Sequence, residues 1–540
     1  MTRDSYFTKA AAAALSLILV LSAFSQTVRP PFPVNRIENP AMWRADGWNA
    51  IDLAKRQKIR AGKAKNVILF LGDGMSNSTV TASRIFEGQT RGESGEENQL
   101  SFEQFPFIAL SRTYSVNQQV SDSASTMSAI ITGVKTDESI ISVDQNVVQG
   151  DYRTVKGNEA KTLLEYAEES GRSTGVVTTA RLTHATPAAC YAHTAERNWE
   201  SDEDIFKRNK DAHAAGFPDI ARQLIEFPYG DGLEVAMGGG RTKFLPAETA
   251  DPEYGTRHGE RLDKRDLTKE WLSKNRQSAF VWNKQEFDRI DPRRTKHLLG
   301  LFERSHMQFE HDRGNDKAGE PSLTEMTRKS IEVLSQNKRG YVLMVEGGRI
   351  DHSNHNGNAF RALSETVEFS NAVRTAKEMV NLDETLIIVT ADHSHTLFIQ
   401  GYPVRGNNIL GLVRENDGKG DLKPTYAKDL LGLPFTTLGY VNGRGYTGAS
   451  NDQPEGPKRC CVEPKAFKPF LGGRWDLANV DTFDPDYLQE AMIPKMSESH
   501  SGDDVTIFAT GVNAHLIRGS MEQNWIFYVM ADALRLARPK

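Results

Sequence analysis

The chain has 540 residues, of which 38% are hydrophobic and 25% charged, and its formal net charge is -5. This length can bury a large core, and the ordinary composition excludes a wholly disordered chain. The small negative charge gives no electrostatic reason to expect nucleic-acid binding, for which a basic patch or stripe is needed. We therefore predict a soluble globular protein without a nucleic-acid-binding module.

The first 25 residues have the pattern of a secretory signal peptide. Arg3 and Lys9 precede an apolar run from Ala10 to Phe24, and small residues mark a cleavage site that ends at Ser25. The run is shorter than the roughly 20 residues that a membrane-spanning helix needs. The last residues offer no hydrophobic tail for a lipid anchor. We expect removal of residues 1–25, which leaves residues 26–540 as an exported protein without a membrane anchor, either periplasmic or secreted.

The chain contains three cysteines, Cys190, Cys460 and Cys461. Three cysteines in so long a chain cannot form a framework of disulfides. The adjacent pair cannot form an unstrained disulfide within itself, and none of the three has the spacing of a metal site. The sequence leaves their pairing open.

The elements that follow in chain order predict an α/β fold. A proline-rich stretch leads into a helical segment from Trp43 to Lys65, and later helices include Ala160–Ser170 and Ala359–Met379. Short apolar runs between the helices predict strands that are buried on both faces. These strands are Asn66–Leu71, Thr174–Thr178, Leu233–Met237, Tyr341–Val345, Thr385–Val389 and Val505–Phe508. Their alternation with helices predicts a three-layer sandwich around a central, mostly parallel, doubly wound sheet.

Two regions depart from this alternation. Residues 245–335 are charged, and we predict that they are rich in loops. Residues 400–490 are dense in Gly, Pro and Asn but keep aromatic residues and short apolar runs. We interpret residues 400–490 as an inserted surface subdomain because those apolar residues can form a small core.

Polar side chains follow the predicted strands at the end where ligands bind in a parallel sheet. Asp73 lies between two glycines after the first strand, and the segment from Glu346 to His355 follows another. Asp392 and His393 follow a third strand, and His500 precedes the last one. Each residue alone is more typical of a turn or of an ordinary hydrogen-bonded side chain. Together they predict a shared site at one edge of the sheet.

The spacing of these residues favours metal binding. Asp351 and His355 are four residues apart, so one helical turn brings both side chains to the same face. Carboxylate oxygen combined with imidazole nitrogen suits zinc, whereas oxygen ligands alone suit magnesium.

Ser123 is the candidate nucleophile. Small residues follow it into a predicted short helix, and the backbone N–H groups at a helix start favour a bound phosphate. With Ser121, Asp122 and Ser125 also available, composition alone would favour an ordinary helix cap here. Arg197 could bind two phosphate oxygens with its guanidinium, although most arginines are surface residues.

Several of these motifs, in this order, resemble the alkaline phosphatase family, and its animal-type branch in particular. They are Gly72-Asp73-Gly74-Met75, Asp122-Ser123-Ala124, the run from Glu346 to His355, and Thr390-Ala391-Asp392-His393-Ser394-His395. The resemblance extends from about Asn39 to Ala514. It implies hydrolysis of phosphate monoesters at alkaline pH, release of inorganic phosphate, and assembly as a homodimer.

The resemblance also implies a role for each position. Ser123 is expected to be the nucleophile that is transiently phosphorylated, and Arg197 is expected to hold the phosphate. One zinc would be bound by Asp351, His355 and His500, and the other by Asp73, Asp392, His393 and Ser123. One magnesium would be bound by Asp73, Thr186 and Glu346. Asp122 would orient Arg197, while His184 and His352 would lie just outside the metal ligands.

The animal-type branch further implies a peripheral calcium site. Its ligands match Glu253, the backbone carbonyl of Phe302, and Glu303. The last ligand is usually Asp, whereas an apparent two-residue insertion places Glu320 there in this chain. In this comparison residues 400–490 correspond to the crown subdomain of the animal enzymes.

Two other functions fit parts of the same pattern. A phosphodiesterase of the same superfamily would use a similar pair of zinc sites, but it would not need Glu346, Thr186 and Arg197. An exported protein that only binds metal or phosphate would not need Ser123. The sequence does not identify the physiological substrate.

Overall fold

The computed structural model describes residues 30–274, 276–447, 456, 458–459 and 474–536. The predicted signal peptide, Cys460 and Cys461 lie outside these residues. Cys190 is a buried free thiol. Among the described helices, none is both long enough and apolar enough to cross a membrane.

The described residues form helices and strands that alternate over most of the chain. The helices are α1 Pro40–Arg56, α2 Asn77–Thr90, α3 Ser123–Thr132, α4 Leu163–Glu169, α5 Ala185–Ala188, α6 Asp202–Arg208, α7 Lys210–Ala214, α8 Ile220–Ile225, α9 Leu267–Lys274, α10 Lys284–Arg289, α11 Leu323–Leu334, α12 Arg349–His355, α13 Ala359–Met379 and α14 Trp525–Leu534. The strands are β1 Asn66–Leu71, β2 Phe107–Arg112, β3 Ser173–Arg181, β4 Val235–Gly239, β5 Ser278–Val281, β6 His297–Leu301, β7 Tyr341–Glu346, β8 Thr385–Thr390, β9 Ser394–His395, β10 Leu397–Ile399, β11 Leu438–Gly443, β12 Lys458–Arg459, β13 Tyr487–Leu488, β14 Ala491–Pro494, β15 His500–Ser501, β16 Val505–Gly511 and β17 Gly519–Glu522.

Ten of these strands form one large sheet in the order β17-β2-β16-β8-β1-β7-β3-β4-β6-β5. Neighbouring strands are parallel except for β16, which runs antiparallel to both β2 and β8. The mostly parallel sheet that the sequence predicts is therefore confirmed, with one strand reversed.

Helices cover both faces of the sheet, as alternate residues of β1 illustrate. Val67 and Leu69 point into one hydrophobic cluster with side chains of α3 and α14, and Ile68 and Phe70 point into another with α11 and α13. All four side chains are at most 1% exposed. A strand buried on both faces reads as a continuous apolar run, which is why the sequence predicts β1 with the observed bounds.

The reversed strand places His500 on the same side of the sheet as the other predicted site residues. Asp73 follows β1, Glu346 ends β7, and Asp392 follows β8, so all three lie at the carboxyl ends of parallel strands. His500 precedes β16, but β16 runs the other way, so its amino end meets that same edge. The topology thus brings four separate segments together at one edge.

Two predicted elements need correction. The first helix ends at Arg56 rather than Lys65. Residues 245–335 contain α9, α10, α11, β5 and β6, so the prediction of a loop-rich region was wrong for much of it. The start of α11 did have a local signal, since Ser322 and Glu325 form a capping box.

The described part of residues 400–490 contains short strands and no helix. Its strand β11 joins β10 and β14 in a separate three-stranded sheet. Leu438 and Tyr440 of β11 pack with Leu363 of α13 in a small hydrophobic cluster. The interpretation of this region as a crown-like insertion stays a prediction.

Candidate active site and metal centre

Ser123 begins α3, and its side chain is buried beside two of the predicted metal ligands. Its Oγ lies 3.1 Å from Nε2 of His393 and 3.4 Å from Oδ1 of Asp73. Asp122 caps the helix, because its carboxylate accepts a hydrogen bond from the backbone N–H of Ser125. The free N–H groups of this helix start favour an anion next to Ser123.

Asp73, Asp392 and His393 form the first cluster, and all three side chains are fully buried. One potential ligand atom from each residue lies within 4.8 Å of those of the other two. Burial and the neighbouring charge of Asp392 raise the pKa of Asp73 well above its usual range. Oδ2 of Asp73 is buried without a protein partner. A cation with oxygen and nitrogen ligands fits this set, because it would neutralise the crowded carboxylates.

Asp351, His355 and His500 form the second cluster. Nε2 of His355 lies 3.3 Å, and Nε2 of His500 3.4 Å, from Oδ1 of Asp351. Burial alone would raise the pKa of Asp351, but the neighbouring imidazoles outweigh it and hold that pKa well below its usual range. The stacked rings of His393 and His500, with centroids 3.6 Å apart, place the two clusters side by side.

The hydrogen bonds of His355 and His500 fix the tautomers that metal binding requires. Nδ1 of His355 lies 2.5 Å from the carbonyl oxygen of Glu498, and Nδ1 of His500 lies 2.7 Å from that of Ser121. A carbonyl oxygen only accepts, so each Nδ1 carries a proton, and in a neutral ring each Nε2 then has a lone pair. These two Nε2 atoms lie 3.1 Å apart. Facing lone pairs repel unless a cation lies between them, so this pair fits a metal ion.

A third cluster shares Asp73 with the first and is rich in oxygen. Potential ligand atoms of Asp73, His184 and Glu346 lie within 4.8 Å of one another. Oε1 of Glu346 and Oγ1 of Thr186 are buried without protein partners. Burial raises the pKa of Glu346. Carboxylate and hydroxyl oxygens are the ligands that magnesium prefers, so these residues fit that ion.

Arg197 is held in place by its neighbours. Its Nη1 donates to Oδ2 of Asp122 over 2.8 Å, and its Nη2 lies 3.3 Å from Nε2 of His184. Burial would raise the pKa of Asp122, but the charge of Arg197 and the hydrogen bond from Ser125 outweigh it, so that pKa is lowered. The Asp122 carboxylate therefore holds the guanidinium of Arg197 next to the start of α3.

Three residues near the site were given no role from the sequence: His395, Glu498 and His306. Nε2 of His395 lies 2.7 Å from Oδ1 of Asp351, and its Nδ1 lies 2.5 Å from Oε2 of Glu498. Burial would lower the pKa of His395, but the charges of Glu498 and Asp351 raise it to about 10. His395 belongs to the same motif as His393, so that motif was an available signal.

His306 lies on the loop after β6, and no local motif marks it. Its ring centroid is 4.1 Å from that of His352 and 5.5 Å from that of His184. Arg181 contacts both ring nitrogens of His306. The side chains of these residues meet only because β3, β6 and β7 end at the same edge.

The predicted calcium ligands come from three separate segments. Oε2 of Glu253 accepts a hydrogen bond from Arg241 over 2.9 Å, and Oε1 of Glu303 accepts one from Tyr254. Phe302 lies directly after β6 and is fully buried. Oε1 of Glu253 and Oε2 of Glu320 are buried without protein partners, which fits a cation that binds oxygen.

A cavity of about 630 Å³ opens beside the second cluster. His355 and His500 line it, together with residues that include Glu138, Lys495 and Met496. The cavity is large enough for the organic part of a small substrate.

The family model for alkaline phosphatases matches residues 64–536. The chain belongs to the alkaline phosphatase family. It is 41% identical over 509 residues to the alkaline phosphatase of Gadus morhua, covering 93% of this chain and 98% of that one. It is 40% identical over 503 residues to the human tissue-nonspecific isozyme, covering 92% of this chain and 88% of that one. The resemblance seen in the sequence is thereby confirmed.

Solved structures of bacterial enzymes share the fold. The alkaline phosphatase of Thermus thermophilus has a TM-score of 0.61 at 23% identity, covering 90% of this chain and 94% of that chain. The enzyme of the Antarctic bacterium TAB5 has a TM-score of 0.56 at 22% identity, covering 88% and 100%. Family membership identifies the chain as an alkaline phosphatase enzyme, which hydrolyses phosphate monoesters and uses divalent metal cations.

Proposed function

We propose that the chain hydrolyses phosphate monoesters at alkaline pH through a phosphoserine on Ser123. The observation that carries this proposal is the position of the Ser123 hydroxyl, 3.1 Å from His393 at the start of a helix. That hydroxyl lies beside the first cluster, and the second cluster is directly adjacent. This is the arrangement that an in-line displacement at phosphorus requires.

The side chains of the site position the substrate and stabilise its negative charge. Ser123 attacks phosphorus, the alcohol leaves on the opposite side, and water then cleaves the phosphoserine to release inorganic phosphate. Arg197 binds two non-bridging oxygens, and the N–H groups of α3 favour their negative charge. The leaving alcohol lies towards the cavity beside His355 and His500.

The metal composition we propose is two zinc ions and one magnesium ion. Asp73, Asp392 and His393 hold one zinc together with Ser123, and a second set of ligands holds the other, namely Asp351, His355 and His500. Magnesium is held by Asp73, Thr186 and Glu346. When bound, the two zinc ions supply charge stabilisation for the attacking and the leaving oxygen. Glu253, Phe302, Glu303 and Glu320 hold a peripheral calcium.

We further propose that the protein is exported and acts as a homodimer. The sequence of residues 1–25 supports export. Helix α1 supports the homodimer, because none of its residues is buried and Trp43 and Trp48 are 51% and 70% exposed. Apolar side chains of this size are usually covered in the functional assembly.

The decisive experiment compares Ser123→Ala with the wild-type enzyme, both loaded with zinc and magnesium. We expect the variant to lose about a thousandfold in kcat towards a chromogenic monoester, because the nucleophile is gone. Its zinc content, measured by mass spectrometry, should stay at the wild-type level. Ser111→Ala on β2 is the matched control and should keep full activity.

Two results would contradict the proposal. Near-normal turnover by Ser123→Ala would exclude the phosphoserine. Equal rates for a diester and its matching monoester would contradict the proposed substrate class. A monoester has three non-bridging oxygens and a diester only two, so a diester cannot offer two of them to Arg197 and still present a third to the metal clusters.

A further inference from the structure

The loop between β6 and α11 carries a carboxylate that the sequence comparison did not assign to any site. Asp316 follows a turn of 3-10 helix at Arg313–Asn315 and lies beside Glu253. Oδ2 of Asp316 is buried without a protein partner. Oε1 of Glu253 and Oε2 of Glu320 are likewise buried without a protein partner.

Four carboxylates therefore lie close together, and hydrogen-bond donors around them reach only some of their oxygens. Arg241 donates to Glu253, and Gln308 donates to both Glu303 and Glu320. Asp316 and Glu303 lie close enough to Glu320 for their charges to repel its carboxylate. The side chain of Glu253 is 4% exposed, and Glu320 as a whole is 2% exposed. Water does not solvate these charges well, so the cluster needs either protons or a cation.

We propose that Asp316 is a ligand of the peripheral calcium site, together with Glu253, Glu303 and Glu320. This inference rests on the calcium site of the proposed function and extends it with a ligand from the inserted loop. Calcium accepts six to eight oxygen ligands in flexible geometry, so a fourth carboxylate can be accommodated. More ligand charge means tighter binding.

The ligand also has a structural consequence. Asp316 and Glu320 belong to the loop before α11, Glu303 follows β6, and Glu253 belongs to the segment after Asp251. A cation shared by all of them ties this loop to two separate segments of the chain. Calcium binding is therefore expected to stabilise this side of the molecule.

The experiment measures the number and the affinity of calcium sites on the intact enzyme already loaded with zinc and magnesium. Isothermal titration with calcium chloride is run on the wild type, Asp316→Asn, Glu320→Gln and Glu248→Gln. Glu248 is exposed on the segment before Glu253 and controls for the loss of one negative charge. We expect one calcium site in the wild type, about tenfold weaker binding in Asp316→Asn, and no change in Glu248→Gln.

Thermal unfolding with and without calcium provides the second readout. Without added calcium, Asp316→Asn should be at least as stable as the wild type, because one repelling charge is removed. With calcium, its gain in melting temperature should be smaller. Wild-type calcium affinity in Asp316→Asn together with weak calcium binding in Glu320→Gln would overturn the role of Asp316. The calcium site itself would still be supported. Absence of calcium binding by the wild type would overturn both, while the monoester assay would still test the phosphatase separately.

Discussion

Three imidazoles, those of His184, His306 and His352, lie side by side, and that of His184 contacts Arg197. Burial lowers the pKa of each of them well below its usual range, so all three are neutral at alkaline pH. Glu200 binds Arg181 through two hydrogen bonds of 2.7 and 2.6 Å, and Arg181 holds the ring of His306. The position of each of these rings therefore depends on the side chains that contact it.

This packing predicts a positioning role for His306. In His306→Ala, the rings of His184 and His352 lose a neighbour, and Arg197 loses rigid support from His184. We expect KM for a phosphomonoester to rise about tenfold with a smaller change in kcat. Inhibition by inorganic phosphate should weaken in parallel, which steady-state kinetics will measure.

His306→Phe keeps a flat ring in the same place and should recover most of the lost affinity. His311→Ala removes a histidine five residues away that packs on Phe360, and it should leave KM unchanged. Equal KM values for His306→Ala and the wild type would show that the ring has no positioning role.

At the scale of helices and strands, the sequence predicts best those strands whose side chains are buried on both faces. β7 and β8 are fully buried apolar runs, and both were predicted to within one residue. β2 was missed because its side chains alternate between buried and exposed, and Ile108 and Leu110 on its outer face are themselves apolar. Its strand character comes from pairing with β16 and β17, which are distant in sequence.

Helix α1 carries apolar side chains that packing within the single chain does not explain. Among the described residues, its apolar side chains have no core to join, and Leu53 is 68% exposed. A second copy of the chain is the partner that the homodimer proposal supplies.

The double variant Trp43→Ser/Trp48→Ser should therefore change assembly more than folding. We expect its mass by light scattering to fall from that of a dimer towards that of a monomer, because two large aromatic side chains are lost from the interface. Arg44→Ser/Lys55→Ser alters the same helix without removing apolar area and should stay dimeric. A monomeric wild type would contradict the homodimer itself, and a dimeric Trp43→Ser/Trp48→Ser would place the interface elsewhere.

In the large sheet, the edge at the carboxyl ends of the parallel strands differs chemically from the opposite edge, at their amino ends. The sequence predicted a site only at the first of these edges. The predicted ligands such as Asp73 and Asp392 follow strands within short motifs, so the topology rule alone brought them together. Residues such as His306 and Asp316 are contributed by loops whose paths depend on tertiary packing, which leaves no periodic pattern. The opposite edge holds a cavity of about 550 Å³ lined by Glu168 and Glu234, and no motif marked it.

This opposite edge should limit stability in the alkaline range. Burial raises the pKa of both Glu168 and Glu234 above the ordinary value of 4.5, helped by the charge of Glu234 at Glu168 and by that of Asp231 at Glu234. The folded state therefore holds protons that the unfolded state has released. This contribution to stability is complete below pH 4.5 and is lost as the pH rises through the raised pKa values.

Glu168→Gln removes the part of this pH dependence that Glu168 contributes, because the amide stays neutral while it can still accept from Thr174, which donates to Glu168 over 2.7 Å. We expect its melting temperature relative to the wild type to be about 2 °C higher at pH 9 than at pH 5, as measured by scanning calorimetry on the zinc- and magnesium-loaded enzyme. Glu169→Gln, at the exposed neighbour that pairs with Lys161, should show no such gain. If Glu168→Gln shifts the melting temperature equally at both pH values, the two buried carboxyls do not hold their protons in the folded protein, and alkaline stability must be limited elsewhere.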